Sequence, residues 1–62
     1  MFQEYDVVKS RRHLSKNVLK GTTGTILMVF DSSPYQYEVE FVDEQYNTLE
    51  ILTVIEVDIE KK

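Results

Sequence analysis

The sequence predicts an all-β fold, a small and partly open barrel of five strands built by residues 1–62 as a single domain. Two stretches, residues 35–41 and 55–60, alternate without error between apolar and polar side chains, which is typical of half-buried strands. The chain is also too short for more than one core. Five short strands in so small a chain have to curl over themselves, because a flat sheet would leave its apolar face uncovered.

The first half of the chain predicts two strands separated by a long polar segment. Residues 5–9 form a short β-branched run, and residues 25–30 form an apolar one. The basic stretch at residues 10–20 is predicted to be a loop, and a brief helix at residues 14–19 is the alternative. The Gly-Thr-Thr-Gly segment at residues 21–24 is predicted to be a turn, because glycine adopts backbone angles that other residues avoid.

The second half predicts three further strands. A turn that contains Pro34 leads into the third strand at residues 35–41, whose aromatic residues and valine share one face while its polar residues share the other. Residues 48–54 form the fourth strand, in which two apolar residues share a face and Glu50 lies opposite them. The alternating tail at residues 55–60 supplies the last strand, with room for a single helical turn before it.

Composition excludes several classes of function. The chain has no cysteine, so it can form neither a disulfide nor a thiolate metal site, and a reducing cytoplasm is the expected location. Its first residues lack the basic flank and apolar run of a secretion signal. The longest apolar run, residues 26–30, is far shorter than the roughly 20 residues that a membrane-spanning helix needs. No export, membrane insertion, metal or cofactor is therefore predicted.

Charge is distributed unevenly along the chain, whose net charge is −4. Residues 1–24 carry five basic and two acidic side chains, whereas residues 25–62 carry nine acidic and two basic ones. An acidic surface repels nucleic acid and attracts basic proteins. The sequence therefore predicts an acidic face beside a basic loop.

Three segments in order resemble a known family. They are Tyr-Asp-Val-Val at residues 5–8, Lys-Gly-x-x-Gly-Thr-Ile at residues 20–26 and Tyr-Glu-Val-Glu-Phe-Val-Asp at residues 37–43. Together they resemble a family of small bacterial stand-alone domains of unknown function, which look like SH3-like barrels of the KOW kind. The resemblance implies this fold and no single activity, and it suggests genes that lie near toxin and immunity modules. The chain departs from the family pattern at Met28, where relatives commonly carry a charged residue.

The residues predict no catalytic activity. His13 is the only histidine, and no partner residue stands at catalytic spacing from it. Glu38 and Glu40 share a strand face, but on a small convex sheet they are expected to face water, which does not tune a carboxyl pKa for acid–base catalysis. The glycines of residues 21–24 precede a strand, whereas phosphate-binding loops normally precede a helix. We therefore expect a binding domain and not an enzyme.

Protein binding is predicted on the acidic face. Glu38 and Glu40, with Glu50 across the hairpin, are expected to surround an apolar centre formed by Met28 and Phe30. Met28 and Phe30 lie on the surface if the two residues that alternate with them fill the core. The alternative is a curved strand that buries both pairs of side chains. The most concrete partner is a basic nuclease toxin, which an acidic immunity or antitoxin-type protein would meet by electrostatic steering.

A second hypothesis assigns binding to the basic loop. Arg11, Arg12, Lys16 and Lys20, together with His13, form the only basic patch, and barrels of the KOW kind contact RNA in other proteins. Phosphate contacts by these side chains would make the affinity fall steeply with salt. The patch lacks the aromatic residues on which bases usually stack, and the acidic remainder of the chain repels nucleic acid, so nucleic acid is the less favoured partner.

Overall fold

Five antiparallel strands and one 3₁₀ helix make up the computed structural model, which describes all 62 residues. The elements are β1 (Val7–Ser10), β2 (Thr23–Phe30), β3 (Gln36–Val42), β4 (Thr48–Ile55), the 3₁₀ helix (Glu56–Asp58) and β5 (Ile59–Lys61). The strands form one sheet in the order β4-β3-β2-β1-β5. Because the two end strands do not pair with each other, the sheet is a partly open barrel of SH3-like strand order. The predicted all-β fold of five strands with one helical turn is confirmed. The predicted extent of the last strand, residues 55–60, is wrong, because residue 55 ends β4 and the helical turn occupies residues 56–58.

The core lies on the inner face of this curled sheet. Alternation along β3 turns every second side chain inward, and the other strands and the long loop add to the same face. The buried apolar residues are Val8, Val18, Ile26, Tyr37, Val39, Phe41, Val54 and Ile59. Each such side chain stabilises the fold by roughly 1.5–3 kcal/mol when it is fully removed from water. The inner face therefore holds the sheet in its curled form.

The loop between β1 and β2 contains no helix. Ser15 and Val18 form an isolated bridge, and Ser15 Oγ accepts the backbone N–H groups of Asn17 and Val18, each at 3.2 Å. This local bonding offers the backbone an alternative to the helical pattern. The brief helix considered for residues 14–19 is therefore wrong, and the loop interpretation is right, apart from Ser10, which belongs to β1.

The two glycines have different roles, and the predicted turn at residues 21–24 is shorter than expected. Gly21 has a φ of 90°, a left-handed conformation that favours glycine. Gly24 lies inside β2, where an added Cβ would come within 2.6 Å of Val39 Cγ1 and 2.9 Å of Phe41 Cδ1. Gly24 is thus required by the close packing of β2 on β3 and not by a turn.

Candidate protein-binding face

β3 places two carboxylates on the outer face of the sheet. Because side chains alternate along a strand, burial of the apolar residues of β3 turns Glu38 and Glu40 outward, where both are half-buried. None of the five ion pairs of the molecule involves either carboxylate. Glu40 accepts a hydrogen bond from the Thr48 hydroxyl. The outer face therefore carries two carboxylates that form no ion pair within the chain.

A β-bulge in β2 determines which of its side chains join this face. Met28 lies opposite Glu38, and Ile26 lies opposite the next residue of β3, so Leu27 is the extra residue of the bulge. The bulge reverses the alternation of β2. As a result Ile26 is buried and Val29 packs against the core although the two are three residues apart. A regular strand would have turned one of them outward.

Met28 and Phe30 accordingly lie on the outer face. Met28 is 46% exposed beside Glu38, and Phe30 is half-buried two pairs further along β2, opposite Gln36. The alternative, in which strand curvature also buries Met28 and Phe30, is wrong for Met28. Of the residues that alternate with them, Val29 packs against the core as expected, whereas Leu27 is half-buried at the bulge.

Glu50 does not belong to this face, contrary to the sequence prediction. In the register of β3 and β4, Glu50 lies opposite the buried Phe41, and Ile51 lies opposite Glu40. Directly opposite residues share a face of the sheet, so β4 turns Glu50 inward. There the Ser15 hydroxyl donates a hydrogen bond to Glu50 Oε1 at 2.6 Å. The predicted grouping of Glu50 with the two outer glutamates is therefore wrong.

Three residues of β4 that the sequence did not assign complete the outer face. Ile51 is 50% exposed beside Glu40, Leu49 is 38% exposed, and Thr53 is exposed opposite Glu38. β4 has apolar residues on both faces, and its only charge lies on the inner one. A pattern of this kind favours the reverse orientation, so only the strand register could have identified these residues.

Ion pairs divide the predicted basic patch. Arg12 donates from Nε and Nη2 to Asp58 Oδ1, at 3.0 and 2.7 Å, and Asp58 is buried. Arg11 Nε lies 3.7 Å from Glu60 Oε1. The two arginines are therefore balanced by carboxylates at the C-terminal end of the chain, and their role in the structure is to attach the loop to that end.

Lys16, Lys20 and His13 make up the rest of the predicted patch. Both lysines are exposed and take part in no ion pair. His13 is also exposed, and its Nδ1 accepts the backbone N–H of Lys20 at 2.8 Å. This bond links the two ends of the loop, which accounts for the histidine without any chemical role.

A hydrogen-bonded cluster attaches the 3₁₀ helix to the core. The Tyr37 hydroxyl donates to Glu56 Oε1 at 2.5 Å and accepts the backbone N–H of Phe2 at 3.2 Å. Burial, and then the bond to the Glu56 carboxylate, raises the pKa of Tyr37. The same bond lowers the pKa of Glu56. Because the hydroxyl is committed to both neighbours, the cluster is a structural contact.

The remainder of the structure offers no competing site of familiar chemistry. It brings together no group of three or more histidine, aspartate or glutamate side chains that could hold a metal ion. It contains no helix with the length and apolar character to cross a membrane. All buried side-chain polar atoms have hydrogen-bond partners. The outer face of β2, β3 and β4 is a surface on which carboxylates without ion pairs and exposed apolar side chains occur together.

Comparison with known proteins gives a family and no activity. The sequence model of one family, described as "Domain of unknown function (DUF4926)", matches residues 4–61. No curated protein and no solved structure matches the chain. The resemblance to a family of unknown function is confirmed, and the chain belongs to DUF4926.

Proposed function

We propose that this member of DUF4926 is a non-enzymatic protein-binding domain that engages a basic partner through the outer face of β2, β3 and β4. The observation that carries the proposal is the pair of unbalanced carboxylates, Glu38 and Glu40, beside the exposed side chains of Met28 and Ile51. Lysine and arginine side chains combine a cationic head with an apolar stem. A partner surface rich in these residues therefore matches both components of the face.

In its most concrete form, the proposal is a bacterial immunity or antitoxin-type protein that neutralises a nuclease toxin in the cytoplasm. Nucleases need positive charge to hold nucleic acid, and a negatively charged inhibitor gains fast, steered association with such a surface. The net charge of −4 has the sign that this steering requires. The lack of cysteine suits a reducing compartment.

A double charge reversal tests the proposal. The partner is first recovered by affinity purification from the native cell, and its affinity is then measured for E38K/E40K and for E4K/D31K. The control pair changes net charge by the same amount at two exposed acidic residues, which share a groove that neither Glu38 nor Glu40 lines. We expect E38K/E40K to bind at least about tenfold more weakly than the control, as for the loss of close charge pairs. Equal affinities would contradict the proposal.

The second candidate function is a nucleic-acid-associated barrel that uses the loop. It rests on Lys16 and Lys20, which are exposed and without an ion pair, because Arg11 and Arg12 already face carboxylates. A mobility assay with RNA and DNA at low salt tests it. Retention that falls steeply with salt and is lost in K16A/K20A would favour this function over the acidic face. If RNA and DNA migrate without retardation at low salt, this second candidate function is excluded.

A further inference from the structure

The free edge of β4 is a second feature next to the outer face. β4 (Thr48–Ile55) pairs with β3 on one side, and no strand lies on its other side. No backbone hydrogen bond outside the sheet involves residues 49–54. In an antiparallel strand, the N–H and C=O groups of alternate residues point to opposite sides. Half of these groups along β4 therefore point away from β3 and are free to pair with another strand.

Over residues 50–55, this edge lacks the protection that sheet edges usually carry. Free edges are commonly shortened or bear lysine, proline or a bulge, which prevents pairing with another chain. β5, the other end strand, has three residues and includes Glu60 and Lys61. β4 has eight residues with neither lysine nor proline, and its only charge, Glu50, points inward to Ser15. Its one irregularity is a bulge at Leu49, near the start of the strand. The regular part of this edge, residues 50–55, borders the acidic face.

Charge indicates what pairs with this edge. A strand added to β4 would place its outward side chains beside Ile51 and Thr53. Glu40 and Glu38 lie directly behind those two residues on β3 and have no cation partner. The added strand and β3 would be two strand spacings apart, which is about 10 Å. A long cationic side chain on the added strand and a glutamate side chain on β3 can together span this distance over Ile51. The matching occupant is an extended segment with lysine or arginine at alternate positions.

We propose that the basic partner docks by adding such an extended basic segment to β4 as a sixth strand. The backbone groups of the segment pair with the free edge, and its basic side chains reach Glu38 and Glu40 across the apolar side chain of Ile51. This inference rests on the proposed function, because it uses the same two carboxylates. It adds the chemical class and the conformation of the partner segment.

A peptide titration tests the inference. The probe is a nine-residue peptide in which lysine alternates with valine and threonine, added to the ¹⁵N-labelled full chain and followed by NMR. We expect amide shifts and slowed hydrogen exchange to concentrate in residues 49–54. The matched control is the same peptide with N-methyl groups on alternate backbone nitrogens, in both registers. N-methylation leaves the side chains and charge intact but removes backbone donors. We expect at least about tenfold weaker binding for the peptide whose methyl groups lie on the edge that faces β4, and little change for the other register.

The outcomes separate the docking mode from the proposed function. If both N-methylated peptides bind as well as the unmodified one, or if millimolar peptide leaves residues 49–54 unchanged, strand addition is overturned. Shifts of these residues on concentrating the chain alone would assign the edge to a second copy and would likewise overturn it. The proposed function is judged separately by the affinity of E38K/E40K for the purified partner. It fails if that affinity is unchanged, whatever the peptide does.

Discussion

Tyr37 illustrates how a single residue joins two parts of this small fold. Its ring is buried in the core, while its hydroxyl holds Glu56 at the start of the 3₁₀ helix and the backbone of Phe2. The ring of Phe2 packs against it edge-on, with centroids 5.5 Å apart. The N-terminal segment and the turn before β5 are therefore both attached through this one side chain.

The Tyr37–Glu56 bond predicts an acid dependence of stability. The bond lowers the pKa of Glu56 in the folded state below its ordinary value of 4.5. A depressed carboxyl pKa contributes stability above the unfolded value, and this contribution is lost as pH falls through the folded pKa. Tyr37→Phe removes the main cause of the depression. We therefore expect the wild type to lose more stability than Tyr37→Phe between about pH 6 and pH 3.

Urea denaturation followed by circular dichroism at a series of pH values measures this difference. Tyr35→Phe is the matched control, because the Tyr35 hydroxyl has no hydrogen-bond partner within the chain. The control should keep the acid slope of the wild type. If the wild type and Tyr37→Phe lose stability in parallel on acidification, the Tyr37 hydroxyl does not stabilise the Glu56 carboxylate.

At the scale of elements, the bulge in β2 decides which surface the protein presents. Leu27 is the extra residue, and beyond it the alternation is reversed, so Met28 faces outward and Val29 inward. If Leu27 paired with β3 as an ordinary strand residue, the regular alternation after Ile26 would turn Met28 inward and Val29 outward. One inserted residue thus converts half of an apolar strand into part of the binding face.

Deletion of Leu27 tests this account of β2. Removal of the extra residue should leave the pairing of Ile26 and Met28 with β3 intact, so the variant is expected to fold. We expect a loss of about 1–2 kcal/mol in the free energy of unfolding, because a half-buried leucine is removed. Urea denaturation provides the measurement. Deletion of Glu38 in β3 is the control, and it should abolish folding because Tyr37 would turn out of the core.

For the whole molecule, the fold cancels much of the charge asymmetry of the sequence. β1 pairs with β5, which brings basic residues of the first half of the chain beside acidic residues of the end. The resulting ion pairs are Arg12–Asp58, Arg11–Glu60, Lys9–Glu60 and Lys61–Asp6. Glu38 and Glu40 lie on β3, which β2 and β1 separate from β5, and they form no such ion pair. Two of the carboxylates that form no ion pair therefore lie together on the outer face.

This distribution predicts that the two outer carboxylates do not stabilise the fold. Because the chain already carries a net charge of −4, E38Q/E40Q should unfold with a free energy equal to the wild type or up to about 0.5 kcal/mol higher at low salt. Urea denaturation at low ionic strength provides the comparison. Asp58→Asn, which weakens the partner of Arg12, should instead cost about 1–3 kcal/mol. A comparable loss in E38Q/E40Q would show that the outer glutamates are structural.

The sequence by itself determined the all-β fold and the inner face of β3. Strict alternation placed Tyr37, Val39 and Phe41 on one face, because a strand period of two is a local property of the chain. It also placed Tyr35 on that face, which is wrong, because β3 begins at Gln36 and Tyr35 is 37% exposed. The left-handed turn at Gly21 was likewise predictable, since it depends on the conformational freedom of one residue. The outward position of Glu38 and Glu40 follows directly from the same alternation.

The tertiary structure decided the remainder, and the reason is register. β4 carries apolar residues on both faces, so its orientation was fixed only by pairing with β3, which sends Glu50 inward and Ile51 outward. The bulge at Leu27 exists only relative to the partner strand. The ion pairs of the loop depend on β1 meeting β5, residues that are distant in the sequence. Each of these features is a relation between strands, which no periodicity within one strand encodes.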